Sequence, residues 1–197
     1  MRIILASTSK YRQALFQRLA VPFESHAPNI NEELYKDLGL SLVGLTQKLA
    51  SLKAQEVFQR FPDALVIGSD QAVGFDHLIF SKPGHKQKAL SQLLELSGKT
   101  HRLVTSVCFK SSEKEIIISH ETKLKMKSLT AEELLNYIER DKPFDCAGSY
   151  KIEEHGINLF EEIECSDFNS IVGLPLIETS RILEQQFGIH PFKSLDQ

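Results

Sequence analysis

The sequence predicts a mixed α/β fold, and three features carry that expectation. Apolar runs of strand length, such as "IILA" at 3–6 and "ALVIGS" at 64–69, alternate with longer stretches of helical period. The second of these runs is continuously apolar and ends in a small polar pair, the pattern of a strand covered on both faces. Strands and helices interleave along the whole sequence with no repeat, low-complexity tract or linker. At 197 residues and 42% hydrophobic content there is enough apolar material for a real core, as one domain or a two-lobed unit.

The first strand spans 2–6 and stops on the hydroxyl cluster of "STSKYR" at 7–12. That turn has two readings. Ser7 or Ser9 caps a helix from about Ser9 to Leu19, with Tyr11, Ala14, Leu15 and Leu19 inward, because a Ser oxygen satisfies an orphan N–H at a helix start. Alternatively it is an anion cradle, where hydroxyls, backbone N–H groups, Lys10 and Arg12 gather at the positive end of a helix dipole.

An irregular stretch containing "HAPNINEE" comes next, then a helix around Gly44 to Arg60 with Leu45, Leu49, Leu52 and Val57 inward. After the buried strand at 64–69, "VGF" and "LIF" flank Asp76-His77 as a hairpin. Pro83-Gly84 breaks the chain before a Leu-rich helix ending near Leu96. "RLVTSVCF" and "EIIISHE" are strands around the polar "KSSEK" turn, and "TKLKMK" alternates like a half-exposed strand. Thr130 opens a helix with Glu133 three residues on, a capping box, and Pro143 lies beyond its end. The tail "LPLIETSRILEQQFG" is a final helix stopped by Gly188.

Composition excludes several classes. A net charge of −3, with the 25% charged residues spread along the chain, leaves no basic stripe for a nucleic-acid backbone, so any phosphate ligand is bound locally. The three cysteines, Cys108, Cys146 and Cys165, are widely spaced and lack a CxxC, against a disulfide framework or a zinc site. No apolar run approaches membrane-spanning length and no charged leader precedes the first strand, so a cytoplasmic protein is expected.

Asp70 is expected just past the C-terminal end of the buried strand, where open α/β sheets place ligand-contacting groups. Taken alone it reads as well as a loop cap. Its company is what matters: Glu32 after a strand-like approach through "APNIN", Lys53 on the inner helix, and Lys82 directly before Pro83. Carboxylates with several cations are the parts of a site for a metal-bound polyphosphate. Other motifs fail. "SGKT" at 97–100 imitates a P-loop, but Leu93 stands where that motif needs Gly, and a helix precedes it instead of a strand. No Ser lies in a GxSxG elbow and no His has HExxH spacing. Cys146 has no identifiable base partner and reads as a small buried thiol.

Seven blocks, "LASTSKYR", "NE" at 31–32, "SDQ" at 69–71, "KP" at 82–83, "SGKTH" at 97–101, "CAGSYKIE" at 146–153 and "VGLPL" at 172–176, together resemble Maf-type nucleoside triphosphate pyrophosphatases in order and spacing. The resemblance implies one Maf-like domain over 1–197, with the two-lobed fold shared with inosine triphosphatases, a mixed twisted sheet and a cleft between lobes. It implies hydrolysis of a nucleoside triphosphate to the monophosphate and pyrophosphate with a divalent cation, Mg2+ or Mn2+. Ser7, Ser9 and Arg12 would hold phosphates, and Lys53 and Lys82 would meet the phosphate chain. Glu32 and Asp70 would bind metal, with Asp70 also the proton acceptor. The family usually has a second acid where this chain has Asn31, so a weaker metal contact, or a weaker charge behind the metal ligands, is expected.

Within the family, Gln71 and Glu153 match the 7-methyl-GTP branch, whereas dTTP and UTP pyrophosphatases carry Thr and Gln there. Glu can accept paired N–H donors from a guanine edge. Tyr11 stands where that branch tends to have Trp, and an aromatic face suits a cationic methylated base. The resemblance thus implies a free nucleotide as partner, with neither nucleic acid nor membrane, in a family whose members are often homodimers. A dTTP/UTP pyrophosphatase and a nucleotide-binding septum regulator with little turnover are the alternatives.

Overall fold

A computed structural model describes residues 1–35 and 38–192. Its seven strands form a mixed sheet: β1 (Ile3–Ala6), β2 (Glu24–Ser25), β3 (Leu65–Phe75), β4 (Leu78–Phe80), β5 (Thr100–Lys110), β6 (Glu115–Met126) and β7 (Phe160–Glu164). The hydrogen-bonded order is β2-β1-β3-β5-β6-β7, with β4 on β3. The helices are α1 (Lys10–Gln17), α2 (Leu42–Arg60), α3 (Lys86–Leu96), α4 (Ala131–Asp141), α5 (Asn169–Val172) and α6 (Leu176–Phe187). The mixed α/β architecture is the one expected. The chain divides into two compact units, one of residues 1–70, 105–120 and 167–197, the other of 71–104 and 121–166.

In the first unit β1 pairs in parallel with both β2 and β3. Alternation along a strand sends successive side chains to opposite faces, and here it divides the buried residues between two clusters. Ile3, Leu5, Leu65, Ile67, Val107 and Phe109 pack with Leu15 and Phe16 of α1 and Ile182 and Leu183 of α6. Ile4, Ala6, Val66 and Cys108 pack with Ala50, Ala54 and Val57 of α2. The inward face of α1 therefore includes Phe16, while Ala14 is exposed. On α2, Leu45, Leu49 and Val57 are buried as expected, but Leu52 is partly exposed and Lys53 takes its place inside.

The second unit contains the β3–β4 hairpin, in register Val73 with Phe80 and Phe75 with Leu78, closed by Asp76-His77. Asp76 has φ +51°, the left-handed backbone such two-residue turns demand. Around α3 and α4, Leu93, Leu96, Leu103, Leu124, Met126, Leu134 and Ile138 are fully buried. The capping box at Thr130 forms in both directions, with the Thr130 hydroxyl on the Glu133 N–H and the Glu133 carboxylate on the Thr130 N–H. "EIIISHE" and "TKLKM" are one strand, β6, rather than two. Its even alternation of exposed and covered residues continues through Thr122. Among the described residues, no helix is long and apolar enough to cross a membrane.

Candidate functional site

Asp70 does not lie beyond its strand. β3 continues through it to Phe75, because the apolar run resumes at Ala72 and Val73 after the three polar residues Ser69, Asp70 and Gln71. A strand position fixes the side chain's face: Val66, Gly68 and Asp70 look toward α2, while Ile67 and Ser69 look the other way. Gly68 is what lets α2 come close. A Cβ there would lie 2.3 Å from the Ala50 carbonyl oxygen and 2.7 Å from the Ala54 nitrogen. With the helix laid on the strand, Lys53, between Ala50 and Ala54 on the same stretch of α2, reaches Asp70 Oδ1 with its Nζ at 2.6 Å.

The same ammonium reaches Glu32 Oε1 at 2.8 Å. Glu32 opens a short 3-10 helix, Glu32–Tyr35, and the Asn31 Oδ1 accepts the Glu33 N–H at 3.2 Å. Asn31 thus caps the turn that carries Glu32, a job Asp would do as well. The approach through "APNIN" is irregular and not a strand. Lys53 and Asp70 are buried, whereas Glu32 keeps two-fifths of its side chain exposed.

Arg12 is the fourth member. Its charge acts on Asp70 and Glu32, and its Nε–H donates to the Gly173 carbonyl at 3.0 Å. Burial lowers its pKa from the ordinary value while the two acids raise it, and a guanidinium remains charged throughout. Burial likewise pushes Asp70 above the usual carboxylate range, with Lys53 and Arg12 pulling the other way.

At the opening turn, Ser7 Oγ accepts the Ser9 N–H at 3.1 Å and Ser9 Oγ accepts the Arg12 N–H at 3.4 Å. Ser9 is the N-cap of α1, so the capping reading of "STSKYR" holds. It also fixes the backbone of Arg12. Tyr11, partly buried, precedes Arg12 on the same helix.

The structure therefore brings together Asp70, Lys53, Glu32 and Arg12, with Ser7 and Ser9 at the turn that starts α1. Gln71, Lys82 and Glu153 belong to the second unit. Gln71 is partly buried and falls on the opposite face of β3 from Asp70. Lys82 is exposed beside buried Pro83, and Glu153 is exposed, with its carboxyl raised by partial burial and by Glu154. Partial burial and the neighbouring acids push the Cys146 thiol up to about 12, away from the thiolate form that a nucleophile needs. Three residues stand in the quoted blocks without a role of their own, Gly68, Ser69 and Gly173. A Gly inside a strand pattern, facing Ala50 and Ala54 on a helix, is the signal for the first. One further group, Asp141, Glu154 and His155 in the second unit, could hold a metal ion, its ligand atoms lying within 4.8 Å of one another. There Asp141 already accepts the His155 backbone N–H at 3.1 Å and pairs with its Nδ1 at 2.7 Å.

Fold and site define an α/β protein with a strand-borne acid held against a lysine and an arginine. The chain belongs to the Maf family, since the family described as Maf-like protein matches residues 2–186. A Bdellovibrio bacteriovorus protein named 7-methyl-GTP pyrophosphatase is 46% identical over 183 residues, covering 93% of this chain and 96% of its own. A Xanthomonas axonopodis protein of the same name is 41% identical over 184 residues, covering 93% and 96%. Among solved structures, the Staphylococcus aureus Ham1 protein is similar at 13% identity with a TM-score of 0.46, covering 79% of this chain and 90% of its own. That likeness is too distant to bear on chemistry.

Proposed function

We propose that this chain hydrolyses a nucleoside triphosphate to the monophosphate and pyrophosphate, with 7-methyl-GTP converted to 7-methyl-GMP. One observation carries the reading: a buried strand carboxylate, Asp70, lies 2.6 Å from the Lys53 ammonium and in the field of Arg12, in a Maf-family chain similar to the 7-methyl-GTP pyrophosphatases above. Water attacks the α-phosphorus, forming one P–O bond as the bond to the oxygen bridging to the β-phosphorus breaks, and that oxygen's electron pair leaves with pyrophosphate. Asp70 takes the water's proton. Burial makes it a stronger base than a surface carboxylate, while the two cations favour its ionised form.

Arg12, Lys53 and Lys82 neutralise the phosphate charge, which grows on the leaving group. Ser7 and Ser9 add hydroxyl donors, because a hydroxyl that accepts a capping N–H still has its own proton to donate. Both readings of the opening turn then hold at once. Glu32 and Asp70 would hold a divalent cation, Mg2+ or Mn2+. The donor set fits, as both carboxylates already converge on one cationic atom, Lys53 Nζ, and hard oxygen donors suit such ions. When bound, the ion withdraws charge from the phosphoryl oxygens. Glu153 and Gln71 read the guanine edge, and Tyr11 offers its ring face to the cationic methylated base. We further place the chain in the cytoplasm, acting as one domain over 1–197 on free nucleotide, as a homodimer.

The test is pyrophosphate release by the purified full chain from a panel of nucleoside triphosphates with Mg2+ or Mn2+. The expected result is the highest kcat/KM for 7-methyl-GTP. Equal or faster release from dTTP or UTP overturns the substrate, and tight binding without metal-dependent release from any of them overturns the activity.

A further inference from the structure

The Gly173 carbonyl is used twice. It accepts the Arg12 Nε–H at 3.0 Å and the Ser69 hydroxyl at 3.0 Å, which fills both of its lone pairs. Gly173 is buried with φ +125°, a backbone that L side chains rarely adopt, and a Cβ there would lie 3.2 Å from Arg12 Nε and 3.4 Å from its Cγ. The segment carrying this carbonyl is pinned at both ends by one buried acid, Asp167. Its Oδ1 accepts from the Asn169 backbone N–H at 2.9 Å and the Asn169 amide at 2.7 Å, and its Oδ2 from the Ile177 N–H at 2.8 Å. Between them the Gly173 N–H donates to the Asn169 and Ser170 carbonyls, each at 3.1 Å.

A guanidinium is a rigid plane with five N–H donors. Fixing Nε on this held carbonyl fixes the plane, and with it the direction of the four Nη N–H groups of a guanidinium whose charge acts on Asp70 and Glu32. Ser69 holds the same carbonyl from the opposite face of β3 to Asp70, so the strand that supplies the acid also registers the arginine. We infer that Gly173 and Ser69 are positioning residues that set the plane of Arg12 for bidentate contact with the phosphate chain. This rests on the reading of Arg12 as a phosphate ligand.

The experiment compares Gly173→Ala, Ser69→Ala and Arg12→Ala, and each of the first two combined with Arg12→Ala, in the full chain. Readouts are KM and kcat for 7-methyl-GTP, Kd for inorganic pyrophosphate by calorimetry, and the melting temperature. Gly173→Ala should raise KM and the pyrophosphate Kd about tenfold with a smaller fall in kcat, since it disturbs a charged hydrogen-bonding group without removing it. Ser69→Ala should act in the same direction by a few-fold, and carries the test alone if Gly173→Ala does not fold. Neither should add to the loss in the Arg12→Ala background, because the group they orient is gone. The same fold loss with and without Arg12 overturns the inference, as does unchanged pyrophosphate affinity in both single variants beside a damaged Arg12→Ala. If Arg12→Ala itself binds pyrophosphate and turns over normally, the phosphate reading of Arg12 fails first and takes the inference with it.

Discussion

Replacing Gly68 by Ala asks whether the close approach of α2 to β3 is what makes the Asp70–Lys53 pair. The added Cβ would meet the Ala50 carbonyl oxygen at 2.3 Å, the Ala54 nitrogen at 2.7 Å and the Ala54 Cβ at 3.0 Å. A carbon and a carbonyl oxygen rest at about 3.3 Å or more, so the helix must withdraw by roughly 1 Å. The two nearest atoms are backbone, so no trimming of a neighbouring side chain relieves the clash. Lys53 adjoins Ala54, and Asp70 follows Gly68 on the same face, so the displacement falls on the 2.6 Å hydrogen bond between them. Overpacking of this kind costs about 1–3 kcal/mol. At this chain length that lowers Tm by about 2–4 °C per kcal/mol. A displacement of about 1 Å in a positioned group costs on the order of a hundredfold in kcat/KM. Thermal melting and pyrophosphate release from 7-methyl-GTP measure the two effects on one preparation. Gly44→Ala is the control on the same helix, since its Cβ meets only the Ser41 hydroxyl at 3.2 Å and the Leu40 Cβ at 3.9 Å. A Gly68→Ala protein that melts with the parent and keeps its turnover would refute the reasoning.

Four other outcomes are expected. Asp70→Asn should abolish pyrophosphate release while the protein still melts cooperatively, because the amide keeps the volume but cannot take the water's proton; near-parental rates would show that Asp70 is not the base. Lys53→Met should move the acid limb of the kcat/KM profile to higher pH, since Lys53 lowers the Asp70 pKa and its loss leaves burial unopposed by that charge; a limb that stays put or moves down separates Asp70 from the rate. His101, buried against Tyr150 with its pKa depressed to about 4, binds protons more readily unfolded than folded, so the stability it contributes is present above the ordinary 6.5 and is lost as pH falls from there through 4. That loss is about 3 kcal/mol when complete, and chemical denaturation across this window should show His101→Gln flattening the slope. Glu153→Gln should weaken 7-methyl-GTP and GTP by about 1–3 kcal/mol and spare pyrimidine nucleotides, whereas an equal loss in kcat/KM for every nucleotide would remove Glu153 from base recognition.

Local chemistry was readable in the sequence wherever one element decides the outcome. The capping box at Thr130, the Asp76-His77 hairpin and the stop at Gly188 stand where expected, since each depends on residues within a turn of one another. The misplacements have tertiary causes. Asp70 and Gln71 interrupt an apolar run, which reads as a strand end, yet β3 continues because Ala72 and Val73 are buried beyond them. Lys53 reads as polar and Leu52 as core, but α2 packs on the sheet through Ala50, Ala54 and Val57, which carries Lys53 inside beside Ala54 and leaves the leucine partly out. The acids and cations of the candidate site were visible as residue types. That Lys53 pairs with both acids was not, because Glu32, Lys53 and Asp70 come from three elements.

What joins those elements is the asymmetry of the sheet. One face of β1, β3 and β5 carries Ile3, Leu5, Leu65, Ile67 and Phe109, which hold α1 and α6 at the distance of large side chains. The other carries Ile4, Ala6, Val66 and Gly68, opposite Ala50 and Ala54, and at Gly68 α2 lies close enough for its backbone to approach the strand. A lysine stem on that helix spans the gap to the strand only because the gap is small. Asp70 shares the face of Gly68 by the two-residue period of the strand, so the seam that admits the helix also aims the acid at it. Ser69, one residue back, is aimed by the same period at the opposite layer, where Gly173 holds Arg12. Two consecutive residues of one strand thereby tie both layers to the same group of charges. A one-residue slip of β3 against β1 would send Asp70 to the face of α1 and α6 and Ser69 to α2, leaving the lysine with Glu32 alone, so the register Ile4 with Val66 and Ala6 with Gly68 is as much a requirement of the site as the acid itself.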